Sequence, residues 1–241
     1  MQNQIANEPE YIEAMQADED LKILRRKIYE AIAKYRYTYN FTWFGRPIIQ
    51  LPEDMMMMQE IILRVKPDLI VETGVAHGGS LVFSASMLEL LGQGEVVGVE
   101  VELRPQNRAA IENHPLSKRI KLIEGSSISD NVLAQVRAIA EGTERVMVFL
   151  DSNHTHEHVL RELEMYSPLV TKDSYLVVFD TGIEDMPGGA YPDRPWGKGN
   201  NPKTAVWEFL KHSDRFEIDR ALESRLLYTV APDGYLKCVK D

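Results

Sequence analysis

The chain has 241 residues, 44% of them hydrophobic and 27% charged, which fits a globular domain and excludes wholesale disorder or a fibrous repeat. With 27 Lys and Arg against 37 Asp and Glu, the net charge of −10 offers no general attraction for nucleic-acid phosphates or anionic lipid. One cysteine, Cys238, excludes an internal disulfide and a multi-cysteine zinc site, and no apolar run approaches a bilayer span.

The first 20 residues are polar and acidic, without the basic and apolar regions of a secretory signal, so a soluble cytoplasmic protein is expected. Leu21, Leu24, Ile28, Ala31, Ile32 and Tyr35 recur at helical spacing and predict an amphipathic helix over residues 20–38. Its stripe of Leu24, Ile28 and Ile32 has to be covered, and a homo-oligomer is the expected cover. A turn-rich stretch follows over 40–52. Glu53 and Asp54 then open a second helix that runs to about Val65, with Met55–Met58 as flexible core filler. Residues 1–66 thus read as an N-terminal helical extension and residues 67–241 as the main domain.

From Asp68 onward, strand-like runs at 69–74, 95–100, 120–124, 146–151 and 175–180 alternate with helical segments at 80–91, 105–113, 129–140 and 159–170. A further helix over 203–212 and strands near 216–219 and 235–239 follow a long Gly- and Pro-rich loop at 182–201. This alternation predicts an α/β, Rossmann-like fold: a mostly parallel sheet with helices on both faces.

In such a sheet, ligands bind beyond the carboxyl ends of the strands. The first strand ends Glu72-Thr73-Gly74-Val75-Ala76-His77-Gly78-Gly79-Ser80, a glycine turn that lets the backbone approach a ligand at a helix start. It lacks both the GxGxxG fingerprint and the phosphate-binding lysine of a P-loop. The next strand ends in Glu100, placed to accept hydrogen bonds from ribose hydroxyls. A glycine turn and a ribose acid without a phosphate lysine suit S-adenosyl-L-methionine.

Two later strands end in Asp151 and Asp180, side by side at the same edge and suited to a hard cation such as Mg²⁺. His154, three residues past Asp151, is the candidate general base. The segment His154-Thr155-His156-Glu157-His158 also matches the HxxEH zinc-protease pattern. That motif needs a continuous helix, however, and His154 sits just past a strand end. In the long loop, Tyr191 and Trp196 offer flat faces to a sugar ring.

Four segments carry a family resemblance: WFGRPIIQLPED (43–54), ETGVAHGGSLVFSASMLELLG (72–92), LDSNHTHEHVLRELEMYSPLV (150–170) and DTGIEDMP…RPWGKGNNPKTAVWEFL (180–210). Through them the chain resembles the cephalosporin hydroxylase family over about Phe41 to Lys240. The resemblance implies a class I S-adenosylmethionine-dependent methyltransferase fold with seven strands, the last antiparallel. It also implies O-methyl transfer to a sugar or natural-product hydroxyl. It puts Glu72, Gly74, Ala76, Gly78 and Ser80 in the cofactor loop, Glu100 at the ribose, and Ser126 and Ser127 beside the adenine. Asp151 and Asp180 match the metal carboxylates of metal-dependent relatives. Those relatives often carry a further carboxylate where this chain has Phe179, leaving Thr181 as a weaker oxygen ligand.

Two other readings stay open at this point. One is an iron oxygenase, as the family name suggests, whose His-x-Asp pattern occurs only at His212-Ser213-Asp214. The other is a non-catalytic cofactor-binding subunit that supports a partner enzyme.

Overall fold

The computed structural model describes residues 9–241, so the first eight residues of the N-terminal extension lie outside the described residues. The chain begins with α1 (Pro9–Ala17) and α2 (Glu19–Ala33), the second opened by the Asp18 carboxylate accepting from the Leu21 amide. The single helix expected over 20–38 therefore ends early, because Arg36 takes a left-handed conformation and a 3₁₀ turn follows at Tyr37–Asn40. The stretch read as turns contains a hairpin of β1 (Phe41–Trp43) and β2 (Arg46–Ile48). It reverses at Phe44 and Gly45, both with positive φ. Next comes α3 (Pro52–Val65), whose first-turn acids Glu53 and Asp54 suit the helix dipole.

The main sheet is then laid down in order: β3 (Leu69–Thr73), α4 (Gly79–Leu91), β4 (Glu95–Glu100), α5 (Pro105–Glu112), β5 (Ile120–Glu124), α6 (Asp130–Ala140), β6 (Val146–Leu150), α7 (His156–Tyr166) and β7 (Tyr175–Val178). It finishes with α8 (Pro202–His212), β8 (Phe216–Ile218), α9 (Arg220–Glu223) and β9 (Tyr235–Cys238). The strand order is β5-β4-β3-β6-β7-β9-β8. Pairing is parallel from β5 to β7, and β9 runs antiparallel to both β7 and β8. This is the expected α/β sheet, with its last strand antiparallel.

Every residue of β3 and β6 is buried, as continuous apolar runs in central parallel strands require. Alternate side chains feed two cores. One gathers Ile70, Met147, Phe149, Tyr175 and Val177 against α3 and α4; the other gathers Val71, Val97, Val148 and Leu176 against α6, α7 and α8. Met57 and Met58 are part of the first and Met55 packs at its margin, but Met56 is exposed, so only part of the Met55–Met58 run is core filler. Ile32 of α2 and Tyr29 also pack on that core, so part of the apolar stripe folds back on its own domain, while Ile23 and Leu24 remain about half exposed. Among the described residues no helix is long and apolar enough to cross a membrane.

Candidate functional site

The carboxyl ends of β3, β4, β6 and β7 open into a cleft of about 990 Å³, within the range of cofactor and small-molecule sites. Its floor begins with the β3 turn. Gly74 has φ +88°, and a Cβ there would stand 2.1 Å from the Asp151 carbonyl oxygen, so only glycine lets the β3 and β6 loops pass this closely. Gly78 is also left-handed, and a Cβ would meet the Ile111 side chain at 2.5 Å. Gly79 faces Pro47 of the β1–β2 hairpin, whose carbonyl would be 2.2 Å from an added Cβ. The hairpin therefore presses directly on the start of α4.

The loop between them is held from several sides. Glu100 Oε2 accepts from the Val75 and Ala76 amides at 2.9 and 3.0 Å, and Oε1 from the Val101 amide at 3.0 Å. Asn107 donates to the Ala76 carbonyl at 2.8 Å, and Arg46 donates to the His77 carbonyl through Nε at 2.9 Å. Ala76 keeps a φ of +46° under these bonds, an uncommon conformation for a residue with a Cβ. Beneath the turn, Glu72 is buried and accepts from the Ser80 hydroxyl. Desolvation raises its carboxyl from the ordinary 4.5 to about 8, with Ser80 opposing part of the rise.

At the other end of the floor, Asp151, His154 and Asp180 each present a ligand atom within 4.8 Å of the others. His154 Nε2 lies 3.2 Å from Asp180 Oδ2. Asp180 adopts φ +55°, which turns the chain out of β7 and aims its carboxylate at the cleft. The Asp151 carboxyl is held well above the usual range, first by desolvation, then by the negative charge of Asp180 and of Glu72. Its one side-chain hydrogen bond is a 3.2 Å donation from Gln50 Nε2, and the buried Gln50 Oε1 has no partner among the described residues. Two adjacent carboxylates, short of donors, fit a hard divalent cation, with an imidazole beside them.

Several predicted residues take other places. Thr181 is fully buried and donates to the Pro232 carbonyl at 2.6 Å, so its hydroxyl points away from the cleft that Asp180 faces. Ser127 is buried beside His158 Nε2 at 3.1 Å, and neither it nor Ser126 lines the cleft. Tyr191 does line it, whereas Trp196 packs edge-on against His154 at 4.8 Å and under Arg194, buttressing the imidazole. The three histidines of the HxxEH stretch diverge, because α7 starts only at His156. His156 reaches Thr204 and Glu208 on α8, while His158 reaches Ser127 and Ser152. A shared zinc site is excluded. His212 closes α8 and does not line the cleft, and the parallel sheet is not a jelly roll, so nothing favours the iron-oxygenase reading.

Sequence reasoning missed Gln50, Arg46 and Tyr29, which reach the cleft or its loop from the segment before β3. The segment 43–54 contained the first two, but no spacing rule marks them.

A family model described as Rhamnosyl O-methyltransferase/CmcI matches residues 35–239. A rhamnosyl O-methyltransferase of Mycobacterium leprae (strain TN) is 30% identical over 198 residues, spanning 81% of this chain and 82% of that protein. One of Mycobacterium bovis (strain BCG / Pasteur 1173P2) is 28% identical over 201 residues, spanning 81% and 77%. Among solved structures, cmcI-D160 Mg-SAM superposes with a TM-score of 0.59 at 16% identity over 84% of this chain and 78% of that one. An O-methyltransferase from Bacillus cereus in complex with SAH gives a TM-score of 0.55 at 16% identity over 96% of both chains. These likenesses show a class I methyltransferase fold.

Proposed function

We propose that this chain, which belongs to the rhamnosyl O-methyltransferase/CmcI family and is an S-adenosylmethionine-dependent O-methyltransferase, methylates a hydroxyl of a sugar or glycosylated natural product with a divalent cation and His154. The observation that carries the finer reading is the Asp151–His154–Asp180 cluster, which shares one cleft with the glycine turn and Glu100. The curated relatives act on rhamnosyl groups, and a structural neighbour with the same fold is a complex with Mg and SAM; both support it.

On this reading the Gly74–Gly79 turn lets the cofactor lie against backbone, and Glu100, with carboxylate lone pairs beyond those its three amides use, meets the ribose. Asp151 and Asp180 are the residues that would hold Mg²⁺, which when bound lowers the pKa of an acceptor hydroxyl and orients its oxygen. His154 takes the hydroxyl proton at Nε2, the atom that faces Asp180. Trp196 packs against that imidazole and restricts its swing. The segment 186–194 forms one wall, with Tyr191 turned into the cleft, and limits the access of water to the transferred methyl group.

The test is methyl transfer to 4-nitrophenyl α-L-rhamnoside, read as S-adenosylhomocysteine release. Exhaustive chelation is expected to abolish it and Mg²⁺ to restore it. His154→Ala should lower kcat by roughly 10²–10⁴-fold, the usual range for a lost acid–base group, with calorimetric affinity for S-adenosylhomocysteine unchanged. Full turnover after chelation, or a normal kcat in His154→Ala, would overturn the metal or the base respectively.

A further inference from the structure

The cleft has a wall that the cofactor turn and the acidic cluster do not explain. Residues from α2 and the following 3₁₀ turn line it, together with the 186–194 segment. Tyr29, on the last two turns of α2, is one of them. A Cβ built on Gly182 would lie 2.6 Å from the Tyr29 hydroxyl oxygen, yet the Gly182 backbone is not in the left-handed region. Glycine at 182 thus leaves space, with no conformational demand, for a phenol to sit against the turn that carries Asp180.

That phenol is partly buried, lines the cleft and bonds no protein group among the described residues, whereas the fully buried tyrosines of the core are paired. Tyr166 donates to the Ser127 carbonyl and Tyr235 to Asp54. Burial first, and then the charge of Asp180, with Tyr191, Asp54 and Asp185 adding to it, keeps the Tyr29 hydroxyl well above its ordinary pKa. As a phenol lining the cleft, it offers a hydroxyl donor to a ligand there. Tyr191 is raised by the same two causes, desolvation and Asp180. Two phenols and the Asp180 carboxylate thus line one cleft, with the Tyr29 hydroxyl set against the turn that follows Asp180. A ring bearing several oxygen acceptors is what such a pair suits.

We infer that Tyr29 is an acceptor-positioning and specificity-determining residue: its hydroxyl donates to an oxygen of the acceptor sugar next to the hydroxyl held at Asp180, in the cleft that Tyr191 also lines. This deepens the sugar O-methyltransferase reading and rests on it. Gly182 is the second half of the same device, because any side chain there displaces the phenol.

The experiment titrates 4-nitrophenyl α-L-rhamnoside into the S-adenosylhomocysteine-saturated protein by calorimetry, for wild type, Tyr29→Phe, Tyr29→Ala and Gly182→Ala. Tyr29→Phe keeps the ring and its packing, so its expected loss of rhamnoside affinity, about tenfold, reports the single hydrogen bond. Tyr29→Ala and Gly182→Ala should lose at least as much, and affinity for S-adenosylhomocysteine should stay within twofold throughout. Wild-type rhamnoside affinity in both Tyr29→Phe and Tyr29→Ala overturns the role of Tyr29 and leaves the methyltransferase reading standing. A wild-type S-adenosylhomocysteine complex that does not bind the rhamnoside overturns the sugar-binding wall. Wild type that does not bind S-adenosylhomocysteine removes the broader reading, and the inference with it.

Discussion

The two ends of the cleft floor solve opposite electrostatic problems. At the β3–β4 end every exposed loop group that matters is satisfied by the protein itself: Glu100 by three amides, and the Ala76 and His77 carbonyls by Asn107 and Arg46. At the β6–β7 end, Asp151 and Asp180 repel each other, Gln50 Oε1 is orphaned, and Asp180 sits in a left-handed conformation. A preorganised, satisfied surface suits a ligand recognised mainly by shape and hydrogen bonds. An unsatisfied acidic one suits a cation, whose arrival relieves the repulsion. On the proposed function, catalysis falls at the strained end.

The contrast is broken or sharpened most strongly by Asp180→Asn. Asparagine tolerates the left-handed backbone, so the fold should be kept while one charge of the repelling pair is lost. Turnover with Mg²⁺ should fall by about 10³-fold, and the melting temperature measured in chelator should rise above that of wild type. A variant that melts lower in chelator would show that the β6–β7 end is not under electrostatic strain.

Next comes the buried carboxyl under the satisfied end. Because folding raises Glu72 from 4.5 to about 8, the folded state binds the extra proton between those values. Stability attributable to this group is therefore fully present below about pH 4.5, declines as pH rises and levels off above about 8. Glu72→Gln should remove this slope, which amounts to a few kcal/mol, in denaturant titrations run from pH 5 to 8. An unchanged slope would mean that the glutamate is ionised where it lies.

The smallest expected effect is at Glu100. Removing the carboxylate in Glu100→Ala frees three amides and loses the ribose acceptor, and should weaken S-adenosylhomocysteine binding by about 10–100-fold in calorimetry. Unchanged affinity would place the ribose elsewhere.

Much of this contrast can be read without coordinates, for a specific reason. Parallel strands buried on both faces must be continuous apolar runs, so VMVFL and LIVET announce themselves, and the residue at each carboxyl end is then known. Gly74, Glu100, Asp151 and Asp180 are found by that counting alone. Thr181 fails the same counting because the positive φ at Asp180 reverses the chain and sends the next hydroxyl to Pro232. Trp196 is near the right place but packs on His154, which depends on how the loop returns to α8. Tyr29, Arg46 and Gln50 are illegible for another reason: helix and hairpin periodicity say which face is apolar, not which distant turn that face will cover. The hairpin itself is hidden by its length, with strands of three residues each.

Asp54 illustrates how late such long-range closure comes. Its buried carboxylate, at the first turn of α3, accepts from the Val230 amide at 2.9 Å and the Tyr235 hydroxyl at 2.7 Å, and from the Thr229 hydroxyl. Tyr235 opens β9, the strand that joins β7 to β8. During synthesis the helix that carries Asp54 emerges about 180 residues ahead of its partners. Until they arrive it holds an uncompensated acid against a half-built sheet, and β8 has no neighbour to pair with. Closure of this one contact therefore ties the segment before the sheet to the strand that completes it. Contacts of such high sequence separation form slowly, so β9, which slots between β7 and β8, is expected to close the sheet late in folding.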